Sequence, residues 1–213
     1  IVNSSADSDD GTCDVEDCTL REAINAANSN EVFDAVVFNI PGEGVQTISP
    51  TSPLPAITDP IIIDGYTQSG ANPNTLTIGD NAALKIELNG NSCTPAPCAQ
   101  ALAISSGDST IKGLAIYGNF NNGIEVNGSG SIITGNFFGL KTDGTGLGVA
   151  ASGIYINNST DNTIGGVNPA DRNVISNNRD GIFIAAGAAN AMDNRIVGNY
   201  IGTNPMGTLA MGN

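Results

Sequence analysis

The chain has 213 residues, enough for one domain with a sizeable core, and 40% of them are hydrophobic, which excludes a disordered tail. Aromatic residues are scarce at 5% and Trp is absent, so Ile, Val, Leu and Ala must fill the core, while 27 glycines among many Asn, Ser and Thr favour short strands and turns. Seven basic residues stand against 21 acidic ones; the net charge of −14 repels nucleic-acid phosphates, anionic membrane surfaces and uronate polymers that no cation bridges.

The chain opens at Ile1, without a Met or a visible signal peptide, as a processed protein or an excised piece would. No apolar run approaches the roughly 20 residues that span a bilayer, so membrane insertion is not expected. Residues 1–35 read as an N-terminal cap. Ile1-Val2 fits a short strand, and Asp7-Ser8-Asp9-Asp10-Gly11 is an acidic loop, with Asp14, Glu16 and Asp17 close behind. Asp7, Asp9 and Asp10 offer oxygen ligands for Ca²⁺, the one cofactor the sequence suggests. The loop lacks EF-hand spacing, and a solvated acidic loop is the competing reading.

Four cysteines form two close pairs, Cys13/Cys18 and Cys93/Cys98. With no His in the chain, two local disulfides in exposed loops fit better than a zinc site, although four cysteines allow three pairings. Disulfides point to an oxidising, extracellular or cell-surface setting.

Residues 19–28 predict the one helix. Thr19 and Glu22 have capping-box spacing. Leu20, Ala23, Ile24 and Ala27 fall on one face; Arg21, Glu22, Asn25 and Asn28 fall on the other.

Residues 36–100 read as irregular first coils. Val36-Val37-Phe38 and Ile61-Ile62-Ile63 are β-like, and Pro41, Pro50, Pro53, Pro55 and Pro60 punctuate them.

Residues 101–213 repeat. Gly-Ile-x-Ile/Val starts at Gly123, Gly153 and Gly181. A second unit interleaves with it: Ile133-Thr134-Gly135-Asn136 matches Ile196-Val197-Gly198-Asn199, with related copies at Ile111 and at Ile164, the latter interrupted before Asn173. Periods of roughly 20–50 residues indicate a solenoid, propeller or array. The strands are too short for propeller blades, and no helical pattern separates them. The fold class expected is therefore all-β: a right-handed parallel β-helix of one domain, 1–213, with a short capping helix. Strand alternation turns Ile124, Val126, Ile154, Ile156, Ile182 and Ile184 inward and sets Glu125, Tyr155 and Phe183 on one outer face. Asn136, Asn173 and Asn199 are placed to stack as an amide ladder. At about 4.8 Å per coil, the residues after 60 should wind into roughly seven coils.

The run Cys18-Thr19-Leu20-Arg21-Glu22-Ala23 resembles the Cys-Ser-Leu-Arg-Glu-Ala signature of a family of bacterial secreted and cell-surface parallel β-helix proteins, with Thr19 in place of Ser. Val2-Asn3-Ser4, Asp7-Ser8-Asp9-Asp10-Gly11, Asn162-Thr163-Ile164-Gly165-Gly166 and Asn173-Val174-Ile175-Ser176-Asn177-Asn178 are similar to the same family, so the resemblance covers most of the chain. It implies a surface β-helix whose helix caps the coil, and it implies little about activity.

Uronate lyases need a base and cationic neutralisation of the substrate. Here there is no His, and the arginines are Arg21, Arg172, Arg179 and Arg195; salt bridges to Asp171 and Asp180 account for the middle two. Glycoside hydrolysis needs two carboxylates across one cleft, and the acids of the repeats sit mostly in turns. Sequons at Asn3, Asn127, Asn157 and Asn158 are weak signals for a bacterial chain. No catalytic residue is assigned. The expected function is an extracellular structural or adhesive protein, an adhesin segment or a filament subunit stacking end to end with itself. The alternative is a carbohydrate-active enzyme or glycan-binding module, with Tyr155, Phe183 and Tyr200 as sugar platforms for cell-surface glycans.

Overall fold

Alternating Ile-rich runs bounded by Gly and Asn become short parallel strands in the computed structural model, which describes residues 1–30, 32–187 and 191–213. The helix α1 spans Leu20–Asn28 and is the one α-helix among the described residues. The strands are β1 Asp34–Val37, β2 Gln46–Ile48, β3 Ile61–Asp64, β4 Ile86–Asn89 and β5 Cys98–Ile104. Next come β6 Thr110–Lys112, β7 Leu114–Tyr117, β8 Phe120–Val126, β9 Ile132–Thr134, β10 Phe137–Phe138 and β11 Ser152–Asn157. The last are β12 Thr163–Gly165, β13 Val174–Ile175, β14 Asp180–Ala185, β15 Arg195–Val197 and β16 Tyr200–Ile201.

They form three sheets with parallel ladders throughout. The first is ordered β1-β3-β6-β9-β12-β15, the second β2-β4-β7-β10-β13-β16 and the third β5-β8-β11-β14. β1 and β2 are followed by β3 with no third-sheet strand between them, only Ile57 in an isolated parallel bridge to Ile104; from β3 onward the chain visits the three sheets in turn, one level (a rung) per visit. Five strands of the first sheet follow residue 60, so the roughly seven coils expected from the sequence are too many. Excursions such as 65–85 and 139–151 lengthen individual coils beyond the spacing of the bare repeat.

Register stacks like on like. Ile63, Ile111, Ile133, Ile164 and Ile196 align in the first sheet. Leu102, Ile124, Ile154 and Ile182 align in the third, with Ile104, Val126, Ile156 and Ile184 beside them. The interior members of these columns are fully buried, each stabilising the fold by about 2 kcal/mol of apolar transfer. On the last rung Ile184, Ile196 and Ile201 are 40%, 42% and 46% exposed.

The corner leaving the first sheet explains the Gly-Asn pattern. Gly135 and Gly198 have φ of +65° and +70°, a conformation that leaves no room for a Cβ and turns the chain sharply. The Asn that follows then faces inward. The Asn136 backbone N–H and Nδ2 donate to Asn173 Oδ1, and those of Asn173 donate to Asn199 Oδ1, at 2.9–3.3 Å. Each Nδ2 also donates to the rung beneath, Asn136 to Ile111 O, Asn173 to Ile133 O and Asn199 to Ile164 O. Two further columns do the same work at the other corners. Ser131 N–H donates to Asn162 Oδ1 and Asn162 N–H to Asn194 Oδ1; Val149 N–H donates to Asn178 Oδ1 and Asn178 N–H to Asn213 Oδ1. Buried corner backbone is thereby satisfied rung after rung.

α1 closes the core at the first rung. Thr19 and Glu22 form the capping box, and Leu20, Ala23, Ile24 and Ala27 are buried in the main cluster. Disulfides join Cys13 to Cys18 and Cys93 to Cys98, the two local pairings, which indicates a non-reducing environment. Among the described residues no helix is long and apolar enough to cross a membrane.

Candidate functional site

The outer face of the third sheet carries the aromatic candidates. Glu125, Tyr155 and Phe183 occupy one outward column on successive rungs. The Tyr155 and Phe183 rings stack at 5.7 Å between centroids with 30° between planes, so one face of each ring is taken by the other. Beside them Asn157 Nδ2 donates to Asn127 Oδ1, and Asn127 Nδ2 to Glu125 Oε1.

Tyr200 does not join this pair. It lies on β16 of the second sheet, half-buried, with its hydroxyl accepting from Gly79 N–H and the Arg172 guanidinium 4.4 Å over its ring. The excursion 65–85 folds across this sheet and covers it, so the three aromatics form no common sugar platform.

The acidic loop distributes its carboxylates among separate partners. Asp7 takes Arg21 in a two-pronged salt bridge at 2.8 Å and accepts from the Thr51 N–H and hydroxyl. Asp10 accepts from Thr12, and Asp9 from Asn25. No cluster of three or more His, Cys, Asp or Glu suited to a metal ion occurs among the described residues.

Two of the four arginines, Arg21 and Arg172, are structural anchors. Arg21 also donates to Pro53 O and Ser52 O, tying α1 to the turn between β2 and β3. Arg179 pairs with Asp180 at 3.1 Å on the surface. Arg172 makes no salt bridge to Asp171; its guanidinium donates to the carbonyls of Leu76, Thr77, Gly79 and Gly198 and clamps the 65–85 excursion from above. Asp171 instead accepts from the Asn168 backbone and side chain. Arg195 is exposed on β15.

The most concentrated polar site is one the repeats do not advertise. Glu87, outward on β4 between the inward Ile86 and Leu88, is buried beneath the 139–149 excursion. It accepts from Tyr117 Oη at 2.7 Å, Thr47 Oγ1 at 3.0 Å, and Thr142 N and Oγ1 at 3.0 and 2.9 Å. Burial pushes its ionisation upward, but the hydrogen bonds from Tyr117, Thr142 and Thr47 outweigh it and hold the carboxyl below its ordinary value. Burial and the neighbouring Glu87 push the Tyr117 phenol well above its usual range. Lys141 lies 5.9 Å over the Tyr117 ring. In the 65–85 excursion, burial is the chief cause that raises the ionisation of Asp80, against the Ala82 N–H and Arg172. Both carboxylates accept from loop backbone, Asp80 from Ala82 N–H and Glu87 from Thr142 N–H.

No protein-family model, curated protein or solved structure matches the chain.

Proposed function

We propose that this chain is a right-handed parallel β-helix that serves outside the cell as a structural or adhesive element. The cyclic visiting of three parallel sheets supports the solenoid reading, and crossovers between parallel strands are right-handed in the great majority of cases. The two disulfides and the likeness of Cys18–Ala23 to a secreted-protein signature support the compartment. One observation carries the non-catalytic reading: the buried, perturbed carboxylate Glu87 spends its hydrogen-bonding capacity on Tyr117, Thr47 and Thr142, holding an excursion to a sheet. A general acid or base needs that capacity free for substrate. The test is an assay of the purified chain on acidic and neutral polysaccharides, following unsaturated products and new reducing ends. No turnover is expected; turnover abolished by Glu87→Gln would overturn the reading.

A further inference from the structure

Cations are scarce in this chain, and nearly all are engaged. Of seven basic residues, Arg21, Lys112 and Arg179 are in salt bridges, Arg172 holds four carbonyls and Lys141 lies over Tyr117. Among the described residues, of the basic side chains only those of Lys85 and Arg195 make no hydrogen bond, salt bridge or cation–π contact. Arg195 differs from Lys85 in its setting: it lines a groove of about 310 Å³ on the outer face of the first sheet.

The strands dictate what else lies there. Thr163 is the register neighbour of Arg195, and Ile132 is the next in the same outward column. Thr134, Gly165 and Val197 form the adjacent column. Gly165 is required for the backbone there, because at its φ of +84° a side chain would run into the Val197 carbonyl and the Asn199 amide; Val167 and Asp171 complete the lining. The hydroxyls of Thr134 and Thr163 have no hydrogen-bond partner among the described residues. Asp171 accepts from Asn168 through Oδ2 alone, which leaves Oδ1 for another donor.

We infer that this groove binds one acidic sugar residue. A guanidinium grips a carboxylate in bidentate fashion. The threonine hydroxyls and Asp171 match sugar hydroxyls, and Ile132, Val167 and Val197 match the apolar face of a pyranose ring. Asp171 and the net charge of −14 reject a second carboxylate, so the ligand carries an isolated acid group and not a run of them. The inference draws on the extracellular reading only for the supply of glycans, and the groove's geometry is independent of it.

The test is a titration of the ¹⁵N-labelled chain with glucuronate and, separately, with glucose, followed by amide shifts. Glucuronate should move the Thr134, Thr163, Gly165 and Gly166 amides saturably at millimolar concentration, and glucose should not. Arg195→Gln should weaken binding about ten-fold or more, Arg195→Lys should weaken it less, and Lys85→Gln should leave it unchanged. Equal response to glucose, persistence of the shifts in Arg195→Gln, or no saturable shift overturns the site. Because Arg195 is exposed, thermal unfolding of the variants should match the parent, so a lost site remains distinguishable from a lost fold. Turnover in the polysaccharide assay would refute the non-catalytic reading and leave this site standing.

Discussion

In the N-terminal region the anchoring contacts are individual, each polar side chain tied to a different partner, whereas in the repeat region one arrangement recurs from rung to rung. Arg21 alone joins Asp7, Ser52 and Pro53; Asn28 joins Ala56 and Thr58; Asn3 joins Cys18 and the carbonyls of Asp14 and Val15. These contacts are unrelated to one another, and each fixes a single joint between α1 and the first coil. Residues 101–213 instead align Ile with Ile and Asn with Asn, so each residue supports the rung above and the rung below. Stacked repeats are coupled chiefly to their neighbours, which makes damage spread along the stack, while damage at the cap stays local.

Substitutions that interrupt a column should therefore cost most. Asn173→Ala removes the acceptor for Asn136 and the donor to Ile133 O and Asn199, leaving several buried polar groups unpaired. A loss of about 4 kcal/mol is expected, read by denaturant unfolding, with amide exchange accelerated on both neighbouring rungs. A loss below about 1 kcal/mol would show that the ladder is decoration. Arg21→Ala leaves Asp7, only 8% exposed, without its cation, and about 3 kcal/mol should be lost. Here exchange should quicken in residues 1–30 and stay slow at Asn136 and Asn173; equal acceleration in both regions would erase the distinction between cap and stack.

The smallest effect concerns an anchor that belongs to neither pattern. Glu87 has its folded-state ionisation lowered from the ordinary 4.5, so its stabilisation is present above about that pH and is lost as pH falls through the folded value. Glu87→Gln should cost about 1 kcal/mol near neutral pH and flatten the acid side of the stability profile. Denaturant unfolding near neutrality and at about pH 3 measures both quantities; an unchanged acid slope would mean another carboxylate governs it.

The same contrast separates what the sequence discloses from what it hides. Alternating Ile and the Gly-Asn corners are legible because each rung imposes the same local demand, an inward branched side chain and a turn at positive φ. One amide ladder could be read from aligned Asn residues, but the columns through Asn162 and Asn178 were obscured by Ser131 and by unequal loops. Glu87 was invisible because its partners Thr47, Tyr117 and Thr142 lie 40, 30 and 55 residues away. The surroundings of Tyr200 and Arg172 are hidden for the same reason, since the excursion they contact starts more than 90 residues earlier in the chain. Cys13/Cys18 and Cys93/Cys98 were simple, since each bridge spans five residues.

The stacking of rungs is tested most directly by methyl-to-methyl nuclear Overhauser contacts among Ile124, Ile154 and Ile182 in a selectively labelled sample. Contacts between Ile124 and Ile154 and between Ile154 and Ile182, with none between Ile124 and Ile182, are expected from the register of β8, β11 and β14. Absence of both neighbouring contacts would contradict the stacked architecture.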